Sequence, residues 1–223
     1  MNKKYQVIAL IGMSGAGKDT MLKRTCEAHP LLFSPIVSCT TRPMRANEVA
    51  GVDYHFISIE EFTHKVLAGD MLEATEFRNW FYGTPINSLA EDKINIGVFN
   101  PAGAEALIED PRLNVLPVKI NCDDKVRLMR CLEREPNPDC HEICRRFFAD
   151  QEDFAKMELE EYAVVDSTNG GDADLLQQQG FRTDWVREMW DSLPTDVSFA
   201  AIEEWERSLT IKAKSNNNKD NDE

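Results

Sequence analysis

The stretch that most constrains this chain is Gly12-Met-Ser-Gly-Ala-Gly-Lys18-Asp-Thr20, a glycine-rich segment containing a single lysine. It follows the apolar run Val7–Ile11 and precedes a helical pattern that begins at Met21. A strand, a glycine loop and a helix in this order place backbone N–H groups around an anion. The helix adds the positive end of its dipole, and Lys18 adds a point charge for the outer phosphates. The segment therefore predicts a phosphate-binding loop.

The residue after the lysine departs from the usual pattern of such loops. Ser or Thr normally stands there and binds Mg2+, whereas Asp19 follows Lys18 here and Thr20 comes one residue later. Either side chain can reach the metal, directly or through water, and the sequence leaves both open. The residues expected to contact nucleotide phosphates are Gly12, Ser14, Gly15, Ala16, Gly17, Lys18, Asp19 and Thr20.

Length and charge narrow the classes of protein. The chain has 223 residues, a length that fits one α/β domain with insertions or two small lobes. Hydrophobic residues make up 42% of it, as in globular proteins, and the formal net charge is -14. A chain this acidic is a poor candidate for binding nucleic acid or an anionic membrane, because like charges repel. No apolar run approaches the ~20 residues that span a bilayer, and the N-terminus has no signal-peptide pattern. We expect a cytoplasmic protein, monomeric or homodimeric, that binds neither nucleic acid nor membranes.

No Cys-x-x-Cys pair is present, and because no secretion signal is recognised, the cysteines are expected to be reduced thiols in a cytoplasm-like compartment. They are Cys26, Cys39, Cys122, Cys131, Cys140 and Cys144. Cys140, His141 and Cys144 lie close enough in sequence to raise a zinc hypothesis, since the two cysteines would share a helix face. No second pair stands at a zinc-like spacing, so zinc binding is the less favoured interpretation.

Short apolar segments separated by helical stretches predict an α/β fold, with a parallel sheet flanked by helices. The predicted strands are Tyr5–Ile11, Pro35–Ser38, Ile94–Phe99, Leu116–Asn121 and Ala163–Asp166, although Pro117 suits a strand start or edge better than an interior. Two segments interrupt the alternation: one has a small strand, Tyr54–Ile57, and a helix from Ser58, and the other is rich in arginine. We expect the core to comprise residues 1–37, 90–124 and the first part of 147–211. An insert is expected at 38–89 and a lid at 125–146. The segment 147–211 should also contain C-terminal helices at Asp184–Ser192 and Val197–Leu209, followed by a disordered tail at 212–223.

Two segments carry a resemblance to a known family. Ser38-Cys-Thr-Thr-Arg42-Pro-Met-Arg45, continuing to Tyr54, looks like the substrate-binding segment of guanylate kinases, and Gly69-Asp-Met-Leu-Glu73, continuing to Thr84, resembles the family's next motif. The match is good over residues 5 to about 90 and looser from 90 to 168. The resemblance implies a P-loop nucleoside monophosphate kinase, in which the first insert binds the monophosphate and the second is the lid.

The resemblance also implies roles for individual residues. Those expected to hold the GMP phosphate are Arg42, Arg45, Tyr54 and Tyr82, and those expected to contact guanine are Ser38, Glu73 and Thr84. Guanidinium forks and phenol hydroxyls suit a phosphate. A carboxylate accepts from guanine N1–H and the exocyclic amine, and a hydroxyl donates to O6.

In the lid, Arg130, Arg134 and Arg146 fall where the family's arginines stabilise the transferring group, and with Lys18 they are the candidate catalytic residues. Arg145 is an adjacent alternative to Arg146. Asp166 occupies the place of the adenine-contacting residue, where the family usually has Asn.

One departure affects the substrate pocket. Where the family has an acidic pair at the end of the third core strand, this chain has Val98 and Asn100, and Asn100 is expected to face the substrate. Acids there order magnesium-bound water, and Asp19 offers a replacement carboxylate near the same metal.

The resemblance thus implies phosphoryl transfer from ATP, with Mg2+, to GMP or dGMP. Two alternatives stay open: a non-catalytic guanylate-kinase-like protein-binding module, and a deoxynucleoside monophosphate kinase with altered base specificity. The intact Lys18 loop favours an enzyme, and the missing acidic pair favours a module.

Overall fold

The computed structural model describes residues 5–45, 48–77, 79–134, 136–157 and 163–168; the predicted C-terminal helices and tail lie outside these ranges. The strands are β1 (Tyr5–Ile11), β2 (Phe33–Pro35), β3 (Cys39–Thr40), β4 (His55–Phe56), β5 (Met71–Phe77), β6 (Trp80–Pro85), β7 (Ile94–Val98), β8 (Leu113–Asn121) and β9 (Ala163–Asp166). The helices are α1 (Lys18–Ala28), α2 (Ile59–Leu67), α3 (Pro101–Glu109), α4 (Asp124–Glu133) and α5 (Cys140–Ala155), and a 3-10 turn spans Ile86–Ser88.

The core is a parallel sheet with strand order β2-β7-β1-β8-β9, which confirms the predicted fold class. Each residue of β1 is buried. Ile8 and Leu10 pack on one face, with Met21 of α1, and Val7 packs on the other, with Leu107 of α3. A fully buried aliphatic side chain of this kind contributes about 1.5–3 kcal/mol. Two buried faces explain why β1 is a continuous apolar run and not an alternating one.

The bounds of three predicted core strands need correction; the simplest case is the third strand, which ends at Val98 instead of Phe99. The second strand is Phe33–Pro35, not Pro35–Ser38, because the chain leaves the core sheet after Ile36, whose N–H still reaches Ile96 O at 2.8 Å. β8 begins at Leu113, three residues before the predicted start. Pro117 lies inside β8, opposite Ala9 of β1, and the described part of β9 pairs with β8 from Val118 onward.

A second sheet forms a separate lobe with strand order β4-β3-β6-β5. The predicted small strand is present as β4, over two residues instead of four. The Ser58 side chain caps α2 by accepting from the Glu61 N–H at 3.1 Å. Phe62 of α2 then stacks on Phe81 of β6 with ring centroids 5.6 Å apart, which fixes the helix on the sheet.

None of the helices within the described ranges is long and apolar enough to cross a bilayer.

Candidate active site

The glycine-rich loop joins β1 to α1 at the carboxyl edge of the core sheet. Gly15 and Gly17 have φ angles of 80° and 91°, which other L-residues rarely adopt. A Cβ atom at Gly15 would also lie 2.3 Å from the Arg127 carbonyl oxygen, so the loop backbone packs directly on α4. Glycine is required here for both conformation and space.

Lys18 lies across the loop and provides a positive charge in the cleft. Its Nζ donates to Gly12 O at 2.6 Å and to Met13 O at 3.1 Å. Burial lowers the pKa of Lys18, and the carboxylates of Asp19 and Asp150 oppose that shift. Arg134 of the lid is close enough to lower the same pKa. The structure therefore brings Lys18 and one predicted lid arginine together.

A cleft separates the phosphate loop from the second lobe. Its lining comes from the loop (Gly12, Ser14, Lys18), the lobe (Ser38, Tyr54, Glu73, Thr75, Tyr82), the turn after β7 (Val98, Phe99, Asn100, Pro101, Gly103) and α5 (Asp150, Asp153, Phe154). Predicted phosphate-binding and base-contacting residues thus share one cavity at the carboxyl ends of the core strands, where α/β proteins bind ligands.

The predicted base-contacting residues form one buried hydrogen-bonded chain. The Thr84 hydroxyl donates to Glu73 Oε1 at 2.8 Å, and the Ser38 and Thr84 hydroxyls are 3.1 Å apart. Burial raises the pKa of Glu73 to about 7, and the hydrogen bond from Thr84 offsets part of that rise. A buried carboxyl with few donors around it is suited to a ligand that brings N–H groups of its own.

Arg42 is fixed by Glu48. Its NH1 and NH2 nitrogens donate to the two carboxylate oxygens at 2.7 and 2.5 Å, and the Arg42 side chain is only 7% exposed. Burial lowers the pKa of Arg42, but the hydrogen bond and charge of Glu48 outweigh burial, so the net shift is upward. The Arg42 guanidinium carbon lies 5.1 Å from the Tyr54 ring centroid, and the Tyr54 and Tyr82 rings are 6.0 Å apart. Burial raises the Tyr54 pKa, so its hydroxyl is a donor at neutral pH.

Arg45 of the lobe and Arg146 of α5 are close enough to interact electrostatically. Burial lowers the pKa of Arg45, and the positive charges of Arg42 and Arg146 lower it further. The Arg45 N–H also donates to Glu48 Oε2 at 2.8 Å. Arg42, Arg45 and Arg146 therefore lie within electrostatic range of one another, and Glu48 and Glu142 pair with Arg42 and Arg146.

The other predicted lid arginines have different surroundings. Arg130 NH2 donates to Ser167 O at 2.7 Å, and NH1 lies 3.4 Å from Gly15 O, so Arg130 braces the loop through protein acceptors. Arg145 and Arg146 both donate through Nε to Glu142, at 2.6 and 2.7 Å. Hydrogen bonds from Arg145 hold the pKa of Glu142 down, at about 2.

Asn100 has a structural role in addition to lining the cleft. Its Oδ1 caps α3 by accepting from the Gly103 N–H at 2.7 Å, and its Nδ2 donates to Thr75 Oγ1 at 3.0 Å. This Asn therefore joins the start of α3 in the core to β5 in the lobe. Val98 lines the same cleft without a polar group.

Three further predicted site residues, Asp19, Thr20 and Asp166, are exposed. Asp19 and Thr20 lie on the first turn of α1, and Asp19 is near enough to raise the Tyr54 pKa. Asp166 ends β9, where its carboxylate accepts from the Thr168 N–H at 2.7 Å. Cys140 and Cys144 are exposed free thiols, and the part of the chain that the structure describes contains no group of three His, Cys, Asp or Glu side chains placed to hold a metal.

Sequence reasoning missed three residues that shape the cleft: Glu48, Thr75 and Asp150. Glu48 has a local signal, because it stands three residues after Arg45 in the same turn. Asp150 has none, since its partner Ser14 is 136 residues away.

A glycine-rich phosphate loop at the carboxyl edge of a parallel sheet, facing a lobe with convergent arginines, defines a P-loop nucleotide-binding protein. The family model described as Guanylate kinase matches residues 4–168. The chain belongs to the guanylate kinase family.

Individual relatives agree with that assignment. The chain is 49% identical over 86 residues to a guanylate kinase of Thermosynechococcus vestitus, covering 39% of this chain and 44% of that protein. It is 30% identical over 194 residues to one of Enterococcus faecalis, covering 83% of this chain and 95% of that protein. The crystal structure of guanylate kinase from Anaplasma phagocytophilum has a TM-score of 0.53 and 26% identity, covering 78% of this chain and 81% of that one. Several strong matches, including the first, span less than half of the relative's length.

Proposed function

We propose that the protein transfers the γ-phosphoryl group of ATP to GMP or dGMP, giving ADP and GDP or dGDP. The observation that carries this proposal is the series of hydrogen bonds that links the side chains of Ser38, Thr84 and Glu73, which lie in the same cleft as Lys18. A carboxyl group flanked by hydroxyls matches the guanine edge: Glu73 accepts from N1–H and the exocyclic amine, and a hydroxyl donates to O6.

The reacting groups are positioned from two sides of the cleft. The loop N–H groups and Lys18 hold the ATP phosphates, and Arg42, Arg45, Tyr54 and Tyr82 hold the acceptor phosphate. An oxygen of that phosphate forms the new bond to the γ-phosphorus, and the bond to the β–γ bridging oxygen breaks, leaving ADP. The acceptor oxygen is already ionised, so no side-chain base is needed. Arg146 and Arg134 would stabilise charge on the transferring group, as positioning and electrostatics dominate such reactions.

Mg2+ fits the oxygen donors near the loop. Asp19 is an exposed carboxylate on the first turn of α1 beside the Lys18 side chain, and Thr20 adds a hydroxyl on the same turn. Hard cations bind such oxygens together with substrate phosphates. Bound there, Mg2+ would neutralise charge on the nucleotide phosphates. We further expect Asp166 to lie near the adenine, and the enzyme to act in the cytoplasm, as a monomer or homodimer, on free nucleotides.

The test is a coupled assay of ADP release with every ribo- and deoxynucleoside monophosphate as acceptor. We expect GMP or dGMP to be the best acceptor. Lys18→Ala should reduce turnover by about 10² or more, because it removes a preorganised charge. Lys23→Ala, an exposed lysine of the same helix, is the control and should be near wild type.

The same assay separates the alternatives. A folded protein that releases no ADP with any monophosphate would be a binding module. A best acceptor with another base would be a kinase of altered specificity and would overturn the role of Glu73.

A further inference from the structure

Asp150 makes an unusual contact across the fold. The Ser14 N–H donates to Asp150 Oδ2 at 2.6 Å, and Asp150 is only 6% exposed although it lies on a mostly exposed helix. Ser14 stands inside the phosphate loop. An N–H donor that faces a carboxylate at this distance forms a charge-assisted hydrogen bond, roughly twice as strong as a neutral one.

The carboxylate and a nucleotide phosphate cannot occupy this position together. A backbone N–H carries one hydrogen, and two anions in contact repel each other in a partly desolvated cleft. Lys18, the cation of the loop, also lies within the field of Asp150 and is hydrogen-bonded to Gly12 O and Met13 O. Protein groups therefore occupy the Ser14 N–H and the Lys18 ammonium group of this loop.

The contact between Asp150 and Ser14 and the lid residue Arg146 are connected through α5. Asp150 and Arg146 are four residues apart on α5, so they share one face of the helix. Arg146 is close enough to Arg45 to lower its pKa. A movement of α5 that withdraws Asp150 from Ser14 also changes the position of Arg146 relative to the lobe.

We propose that the Asp150 carboxylate is a plug of the phosphate loop: it occupies the Ser14 N–H in the nucleotide-free protein, and ATP binding displaces it together with α5. This inference rests on the proposed function, because it assumes that ATP phosphates bind this loop. The phosphates of ATP and a free phosphate ion both need the Ser14 N–H, so each must displace the plug. The plug therefore lowers the apparent affinity of the loop for both ligands by the same factor.

The experiment is equilibrium binding of ATP by titration calorimetry with no acceptor nucleotide, once with Mg2+ and once with EDTA. The proteins are wild type, Asp150→Ala, Asp150→Asn and the control Glu152→Gln, which removes one negative charge from an exposed residue of the same helix, outside the cleft lining. We expect Asp150→Ala to bind ATP about tenfold more tightly than wild type in both buffers, a change of about 1.4 kcal/mol. Glu152→Gln should gain less than about threefold. Inorganic phosphate, titrated in the same way, should show a gain of similar size to that of ATP.

The outcomes separate the plug from the proposed function. Equal or weaker ATP binding by Asp150→Ala, or a gain no larger than that of Glu152→Gln, overturns the plug. Weaker binding in the Mg2+ buffer alone also overturns it and makes Asp150 a metal-handling group. If Asp150→Ala does not fold, Asp150→Asn keeps the side-chain volume and decides the question. Wild-type protein that binds no ATP refutes the proposed function, whereas wild-type protein that phosphorylates GMP without a gain in the variants refutes the plug alone.

Discussion

The Thr84 hydroxyl donates its one hydrogen to Glu73 Oε1 at 2.8 Å, in the buried part of the cleft. In the free protein Ser38 is therefore the donor in its 3.1 Å contact with Thr84, and it must turn its hydrogen away from Thr84 to donate to guanine O6. Two hydroxyls, one just before β3 and one on β6, are thus oriented toward a single carboxyl group. This ordering prepares Glu73 to be an acceptor, and it leads to the first two predictions.

Glu73→Gln is predicted to lower kcat/KM for GMP by about 10² or more while leaving the low activity with AMP nearly unchanged. Gln keeps one acceptor but brings an N–H against the donors of guanine, and buried unpaired polar groups are costly. Steady-state kinetics with GMP, dGMP and AMP measure the effect. Glu76→Gln, an exposed residue of the same strand, is the matched control. Unchanged GMP kinetics in Glu73→Gln would show that Glu73 does not read the base.

The stability of the free protein is predicted to depend on pH through Glu73. Its folded-state pKa is raised from 4.5 to about 7 by burial. The stability contributed by the neutral carboxyl is therefore fully present below pH 4.5 and is lost as the pH rises through about 7, a loss of roughly 3 kcal/mol. Glu73→Gln should accordingly be more stable than wild type at pH 8 by more than it is at pH 5. Urea unfolding at both pH values measures this, and an equal difference at both would contradict the prediction.

Glu48→Gln is predicted to raise the KM for GMP by about tenfold with little change in the KM for ATP. Glu48 holds Arg42 with two charge-assisted hydrogen bonds and also accepts from the Arg45 N–H. Gln accepts with only one oxygen and carries no charge, so Arg42 loses its fixed orientation. Initial rates with each substrate varied in turn give both constants. Glu61→Gln, on the exposed surface of α2, is the control, and a lower KM for GMP in Glu48→Gln would mean that Glu48 competes with the substrate.

Arg127→Met is predicted to stabilise the fold by about 1–3 kcal/mol. Arg127 is 1% exposed, its Nε pairs with Asp124 at 2.7 Å, and its guanidinium lies 3.6 Å from the Phe147 ring centroid. Among the described residues, NH1 and NH2 have no hydrogen-bond partner. Met retains the packing on Phe147 and removes the buried charge. Urea unfolding of Arg127→Met is compared with that of Arg112→Met, a more exposed arginine paired with Asp110. A destabilisation of Arg127→Met larger than that of the control would contradict the prediction.

The parts of the site that the sequence predicted are those with local signals. The motif from Gly12 to Thr20 covers the loop between β1 and α1 and the first turn of α1, so its position at the sheet edge follows from the order of the elements. The cap formed by Asn100 has a local sequence signal as well, because Asn followed by Pro101 is typical of a helix start. The contact of Asp150 with Ser14 could not be predicted, since an aspartate in a polar helix normally faces water. Its burial depends on how α5 crosses the loop, which is a property of the tertiary fold.

The hydrogen bond from Asn100 Nδ2 to Thr75 Oγ1 has an evolutionary consequence. A threonine hydroxyl can reverse its hydrogen, so it can accept from an amide or donate to a carboxylate with equal ease. Asn100 Oδ1, which caps α3, is an oxygen that Asp would supply equally well. A single exchange at this position would therefore add one negative charge to the substrate pocket without dismantling the helix start or the contact between the two sheets. A change between a neutral and an acidic pocket floor thus takes a single substitution, at a position where Asn and Asp can make the same two contacts.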